Sequence, residues 1–330
     1  MEYYFAPLEG ITGWIYRNAH ARHFPGIDRY YTPFIAAHKT HKMKTREKKD
    51  VDPSNNAFYH CVPQVLTKVP EDFISTIRTL SEMGYREVNL NLGCPVPTVT
   101  TKGKGSAMLG DPEALNRFFD ETFERMSAEH LTSSISVKSR IGVNDPAEAV
   151  QILEVFNRYP LTEIIVHPRT TREMYQGIPH RDVFEDIMRM SVHPLCYNGD
   201  IKKPSDLNFL AENPSADSRS TKETPFKIPA VMIGRGLLRN PALVRELQGG
   251  PALEPEELRA FFRDIQRGYE TEMSGEKPVL AKMKELWWYA GDLFADSDRE
   301  LKKIKKAKTI SEYEMAVSQL FSSKGGHFYV

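Results

Sequence analysis

The chain has 330 residues, with 44 Lys and Arg balanced by 44 Asp and Glu, 40% hydrophobic and 27% charged residues. That length can bury one large core with a smaller one beside it, and the composition is that of an ordinary globular protein. No apolar run approaches the roughly 20 residues that span a bilayer. Three cysteines (Cys61, Cys94, Cys196) without CxxC spacing argue against a disulfide framework and a structural zinc site.

Taken from the start, Met1–Pro7 lacks the basic and apolar regions of a secretory signal, so the cytosol is the expected compartment. Short apolar or alternating runs then recur at Tyr3–Leu8, Arg29–Ile35, Val62–Leu66, Glu87–Leu92, Ile135–Arg140, Glu163–Arg169, Pro194–Asp200 and Ala230–Gly236. Each is followed by room for a helix, so the chain reads as repeated βα units. Asp111-Pro112 and Asp145-Pro146 each place an N-cap acid before a proline at the first helical position. Phe73, Ile74, Ile77 and Leu80 mark one apolar stripe, and Ala149, Ile152, Leu153 and Phe156 another. Eight such units predict an α/β fold, a (β/α)8 TIM barrel over residues 1–248. A doubly wound sheet is the rival, but no GxGxxG turn follows the first strand. The polar stretch 213–227 reads as a surface insertion. Beyond Gly249-Gly-Pro251 strand signals cease. Leu258, Phe261, Phe262, Ile265 and Tyr269 form one helical stripe and Leu286, Tyr289, Ala290 and Leu293 another. Residues 252–330 are therefore expected to form a small C-terminal helical bundle.

Two basic segments, 38–49 and 302–308, stand out on a chain of zero net charge; either they bind phosphates or they are solvated faces.

Barrel chemistry sits at the C-terminal strand ends. Those ends carry Pro7-Leu8-Glu9-Gly10, Gln64, Asn91 with Cys94, Lys138 with Arg140, His167 with Arg169, Asn198-Gly199-Asp200 and Gly234-Arg235-Gly236. So many polar ends exceed what packing requires. Glycine-rich ends of the last two strands suit a phosphate, with Arg235 and the amides around Gly199 and Gly236 holding it. Lys138 would then face the other end of a phosphorylated cofactor, where a fixed cation stabilises charge on a reduced flavin. Cys94 has three readings. It is a packing thiol, a nucleophile, or a general acid, and the last is preferred because a thiol near ~8.5 is protonated at neutral pH. Cys61, Cys196, His60, His180 and His193 are read as structural.

Ala6-Pro7-Leu8-Glu9-Gly10, Pro63-Gln64, Asn89-x-Asn91-x-Gly93-Cys94-Pro95, Val137-Lys138-x-Arg140-x-Gly142, His167-x-Arg169-Thr170, Asn198-Gly199-Asp200 and Gly234-Arg235-Gly236 together resemble the bacterial tRNA-dihydrouridine synthase family. Order and spacing match across the barrel, and the helical tail resembles that family's tRNA-binding domain. The resemblance implies an FMN oxidoreductase that uses NADPH to reduce the C5–C6 double bond of a D-loop uridine in tRNA. Hydride would pass from FMN N5 to C6, and Cys94 would protonate C5. Pro7, Leu8, Glu9, Gln64, Lys138 and His167 would hold the isoalloxazine region. Asn198, Gly199, Asp200, Gly234 and Arg235 would hold the ribityl phosphate. Asn91, Arg140 and Arg169 would face the uridine, with Lys102 and Tyr175 as further RNA contacts. The partner would be tRNA, met by a monomer without metal or membrane. The competing enzyme class is an FMN barrel reductase of a free small molecule, of the dihydroorotate dehydrogenase type.

Overall fold

The computed structural model describes residues 1–37, 42–211 and 230–322. The insertion expected at 213–227 and the first residues of the basic segment, 38–41, lie outside that range. One parallel sheet carries the strands. β1 is Glu2–Phe5; β2 runs as Arg29–Tyr31 and, past Pro33, Ile35–Ala36; β3 runs as Cys61–Val62 and, past Pro63, Gln64–Leu66. β4 is Glu87–Leu92, β5 Ser134–Gly142, β6 Ile164–Thr170, β7 Leu195–Tyr197 and β8 Ala230–Ile233. The two halves of β2 pair with the two halves of β3, and β8 pairs with β1, so the sheet closes into an eight-stranded barrel among the described residues. Proline has no N–H to give to a ladder, which is why β2 and β3 are each interrupted at one. Pro63 still accepts from Asn89 N at 2.9 Å, so register carries through the break.

Two strands are shorter than their apolar runs. β7 stops at Tyr197 and β8 at Ile233, because Gly234 is already the cap of a short helix, Arg235–Arg239. Gly236, expected in an open loop, is buried within that helix.

Tyr4, Ala6, Tyr31, Val62, Ile165, Cys196, Ala230 and Met232 fill the barrel interior. Toward the N-terminal ends of the strands the filling turns polar. Glu163 is 5% exposed and accepts from Tyr4 Oη at 3.0 Å, while its second oxygen has no hydrogen-bond partner among the described residues. Burial raises its pKa to about 7, against the opposing pull of Arg29. A folded-state pKa above the unfolded one means stability present at low pH that is lost as pH rises through about 7. Glu163→Gln should therefore be more stable than wild type at pH 8.5, by on the order of 2 kcal/mol, and equal to it near pH 4.5. Urea unfolding at the two pH values checks this; an identical difference at both would contradict it.

The chain divides into two compact units. One comprises Met1–Pro7, Asp28–Asp200 and Leu207–Ile233; the other comprises Leu8–Ile27, Ile201–Asp206 and Gly234–Val330. The second unit contains the helices Trp14–His23, Pro255–Glu272, Glu276–Ala290, Asp298–Lys306 and Ile310–Ser322. The predicted stripe on Pro255–Glu272 lies against the first helix and the residue that follows it. Phe261 meets Tyr16, His20 and Phe24 edge-on at 5.4, 6.1 and 5.2 Å. Gly268 permits the approach, since a Cβ there would lie 2.6 Å from Ile15 Cγ2. No helix of the described residues is long and apolar enough to cross a membrane.

Candidate active site

Alternation along β4 puts Asn89 and Asn91 on one face, and their neighbour in the sheet is Gln64 of β3. Gln64 and Asn89 are fully buried and Asn91 is 6% exposed. Burial of three amides is tolerable because they satisfy one another. Asn91 Nδ2 donates to Gln64 Oε1 at 2.7 Å, Gln64 Nε2 to Asn89 Oδ1 at 2.8 Å, and Asn89 Nδ2 to Ser136 Oγ at 3.0 Å. Ser136 in turn donates to Glu87 at 2.8 Å, and Glu87 receives Arg29 at 3.2 Å. This chain of bonds ties the strand end to the opposite end of the barrel.

Its upper end fixes the cysteine. Asn91 Oδ1 accepts from Gly93 N at 3.1 Å and Cys94 N at 2.9 Å. From the other side Ser106 donates to Cys94 O through N at 3.1 Å and Oγ at 3.0 Å. Gly105, at φ +62°, is required for that approach, since a Cβ there would stand 2.7 Å from Cys94 O. The backbone of Cys94 is thus held on both sides and its side chain is half-buried.

Lys138 of β5 is in register with Asn91. It is half-buried and makes no hydrogen bond or ion pair among the described residues. Burial, then the nearby Arg140, lowers its pKa to about 8. A desolvated ammonium without a carboxylate is a place for an anion or for an electron-rich ring edge.

Arg140 and Arg169 are 2% and 0% exposed, and their forks are turned to the backbone of one loop. Arg140 donates to Gly93 O at 3.0 Å, Thr170 O at 2.6 Å and Met174 O. Arg169 donates to Gln176 O at 3.0 Å, Gly177 O at 2.6 Å and Asp200 at 2.7 Å, and meets His167 Nε2 at 3.1 Å. Burial first, with Arg169 adding to it, lowers the Arg140 pKa to about 10. The loop they grip carries Tyr175, 49% exposed, its ring 5.3 Å from the Arg140 guanidinium and 6.3 Å from the His167 ring. Glu173, which no motif singles out, closes the same loop. It accepts from Thr170 N at 2.6 Å and pairs with His180 at 2.7 Å.

Asn198 donates to Met232 O at 2.7 Å, tying β7 to β8, and Asp200 turns the chain at φ +35°. Gly199 allows close packing, for a Cβ would lie 2.6 Å from Tyr197 Oη. Pro7 is half-buried in the first unit. Leu8, Glu9, Gly234 and Arg235 fall in the second unit. There Leu8 N donates to Thr12 Oγ1 at 2.8 Å, Glu9 is exposed, and Arg235 is half-buried as the first residue of its helix. Lys102 is exposed on a turn; Lys104, with Nζ 3.3 Å from Ala37 O, has its pKa lowered by burial and by Lys102 and Lys68. Lys68 and Lys104 escaped the sequence reading, although the pattern Lys102-Gly-Lys104 was visible.

A family model described as dihydrouridine synthase (Dus) matches residues 4–322. "Probable tRNA-dihydrouridine synthase 1" of Synechocystis sp. is 25% identical over 87% of this chain and 77% of its own length. "tRNA-dihydrouridine(16) synthase" of Neisseria meningitidis is 24% identical over 85% of this chain and 83% of its own. A solved structure of morphinone reductase superposes at a TM-score of 0.53, with 11% identity, over 79% of this chain and 90% of that one, which bears on the fold alone.

Proposed function

The chain belongs to the dihydrouridine synthase family, and we propose that it is a tRNA-dihydrouridine synthase, an FMN-dependent oxidoreductase that uses NADPH to reduce the C5–C6 double bond of a uridine in tRNA. The observation that carries this reading is the placement of Cys94 and Lys138 at adjacent strand ends, the one on a turn held by its backbone and the other a cation with no hydrogen bond or ion pair among the described residues.

The residues present fit FMN. Among the described residues Lys138 has no hydrogen bond or ion pair, and Gln64 keeps one N–H and one lone pair beyond its bonds to Asn89 and Asn91. These two with Pro7 and His167 are assigned to the isoalloxazine region, and Asn198, Gly199 and Asp200 to the phosphate end. Bound there, FMN supplies the hydride to uracil C6. Cys94 holds the proton for C5, and Asn91 holds Cys94. A uracil within folded tRNA cannot reach a barrel mouth unless its nucleotide is flipped out. Tyr175, half-exposed and backed by Arg140, offers it a stacking face. Lys68, Lys102 and Lys104 are assigned to phosphates beside it, and the exposed lysines of 302–308 to phosphates farther along the tRNA. A tRNA substrate is in keeping with the cytosol.

Purified protein with FMN, NADPH and unmodified tRNA should yield dihydrouridine, read by nucleoside mass spectrometry; absence of product would refute the assignment. Lys138 adds a pH signature. Its charge is lost as pH rises through about 8, and an anionic ligand would hold it on. FMN affinity should therefore fall above pH 8 in the wild type and be weaker but flatter in Lys138→Ala. A normal reductive half-reaction in that variant would contradict the role.

A further inference from the structure

Helix Glu276–Ala290 carries two adjacent tryptophans with opposite fates. Trp287 is 1% exposed, donates from Nε1 to Tyr313 Oη at 2.8 Å, and has the rings of Phe262 and Phe294 at 4.8 and 5.9 Å. Trp288 is 69% exposed, with the Lys305 ammonium 5.3 Å from its ring centroid. Core packing accounts for the first and not for the second.

Lys305 stands on a fixed element. Ile304 is fully buried, Leu301 lies against Gly291, and Lys284 Nζ donates to Ala307 O at the helix C-terminus. The helix Asp298–Lys306 therefore presents Lys305 to the indole as part of a rigid face. On the same helix Arg299, Lys302, Lys303 and Lys306 line an open groove of about 520 Å³, which also contains Glu312. Neither Trp288 nor Lys305 lines that groove, but Lys305 shares the helix with its four cations, and an aromatic face with a cation on it beside further cations suits unpaired nucleic acid, where bases stack on the ring and phosphates meet the charges. A protein partner fits less well, because lysine is depleted at the core of such interfaces.

We propose that Trp288 and Lys305 form a stacking platform for an unpaired base of the RNA substrate, with the groove lysines holding the adjoining phosphates. This rests on the tRNA reading given above. The platform would act on how the tRNA is seated, at a distance in sequence from every residue assigned to the flavin.

The test measures tRNA affinity of the FMN-loaded full-length protein at several salt concentrations. Trp288→Ala should weaken binding by roughly 10-fold or more, and Trp288→Phe should restore most of it. The slope of log affinity against log salt should be unchanged in Trp288→Ala and reduced by about 0.7 in Lys305→Gln. FMN content and melting temperature should match wild type, since both side chains are exposed. Wild-type affinity in Trp288→Ala overturns the platform while leaving the tRNA reading intact. A wild-type protein that binds no tRNA overturns the reading and the platform together. Concentration-dependent self-association that Trp288→Ala abolishes, with tRNA affinity unaltered, also overturns the platform.

Discussion

Replacing Cys94 with alanine should slow dihydrouridine formation by about two to four orders of magnitude, the range lost with a positioned proton donor, while FMN content and tRNA affinity stay near wild type. The surroundings of Cys94 make this a clean experiment. Its N–H is held by Asn91 and its carbonyl by Ser106, so the turn keeps its path when the thiol is removed. Gly105→Ala is the contrasting case. That Cβ would meet the Cys94 carbonyl at 2.7 Å on a residue already at φ +62°, and the turn itself must move. Flavin reduction by NADPH, followed at its visible absorbance, should be normal in Cys94→Ala because the proton is needed only in the second half of the cycle. Unchanged turnover in the alanine variant would remove Cys94 from the mechanism.

Much of the barrel was legible because it rests on residue types. Alternation in Glu87–Leu92 is period two, and a strand with those bounds is what forms. Asp111 and Asp145 do cap their segments, accepting from Ala114 N and Ala147 N at 2.9 Å each. What the sequence concealed was the use each polar group makes of its hydrogen bonds. Asn91 looked like a ligand for a planar substrate, and its oxygen holds two backbone amides of the Cys94 turn. The arginines likewise looked like open forks. No local pattern could show otherwise, because all but one of the carbonyls they meet lie in a loop without periodicity, between residues 170 and 177, and the other is Gly93 O on a neighbouring turn.

The grouping of elements was hidden for a related reason. The stripe of Leu258, Phe261 and Ile265 announces a buried helix face without naming its cover. Trp14–His23 has no strong stripe of its own, yet Tyr16, His20 and Phe24 meet Phe261 there. A cut at residue 252 would therefore uncover aromatic surface on the first helix, and full-length variants are the sounder route to the tail's contribution.

Arg169→Ala should produce the second large effect, through the loop rather than through the substrate. The side chain is fully buried and every donor group has an assigned partner: Gln176 O, Gly177 O, His167 and Asp200. Its removal strands two loop carbonyls and leaves Asp200, 22% exposed, without its cation. A cost on the order of 3 kcal/mol follows, toward the low end for a buried pair because water still reaches the carboxylate. The loop 171–177 should then be cut faster by protease in the otherwise folded protein. Tyr175 would lose its fixed place, and a displacement near 1 Å costs about 100-fold in rate. Lysine cannot replace a fork that reaches four acceptors, so Arg169→Lys should recover little. These readouts separate two roles for the same residue. If the guanidinium bound uracil directly, activity would fall with the loop still protected, and lysine would return part of the substrate affinity. If it holds the loop, protection and activity fall together, and Arg140→Ala, which frees Thr170 O and Met174 O of the same loop, should reproduce both losses.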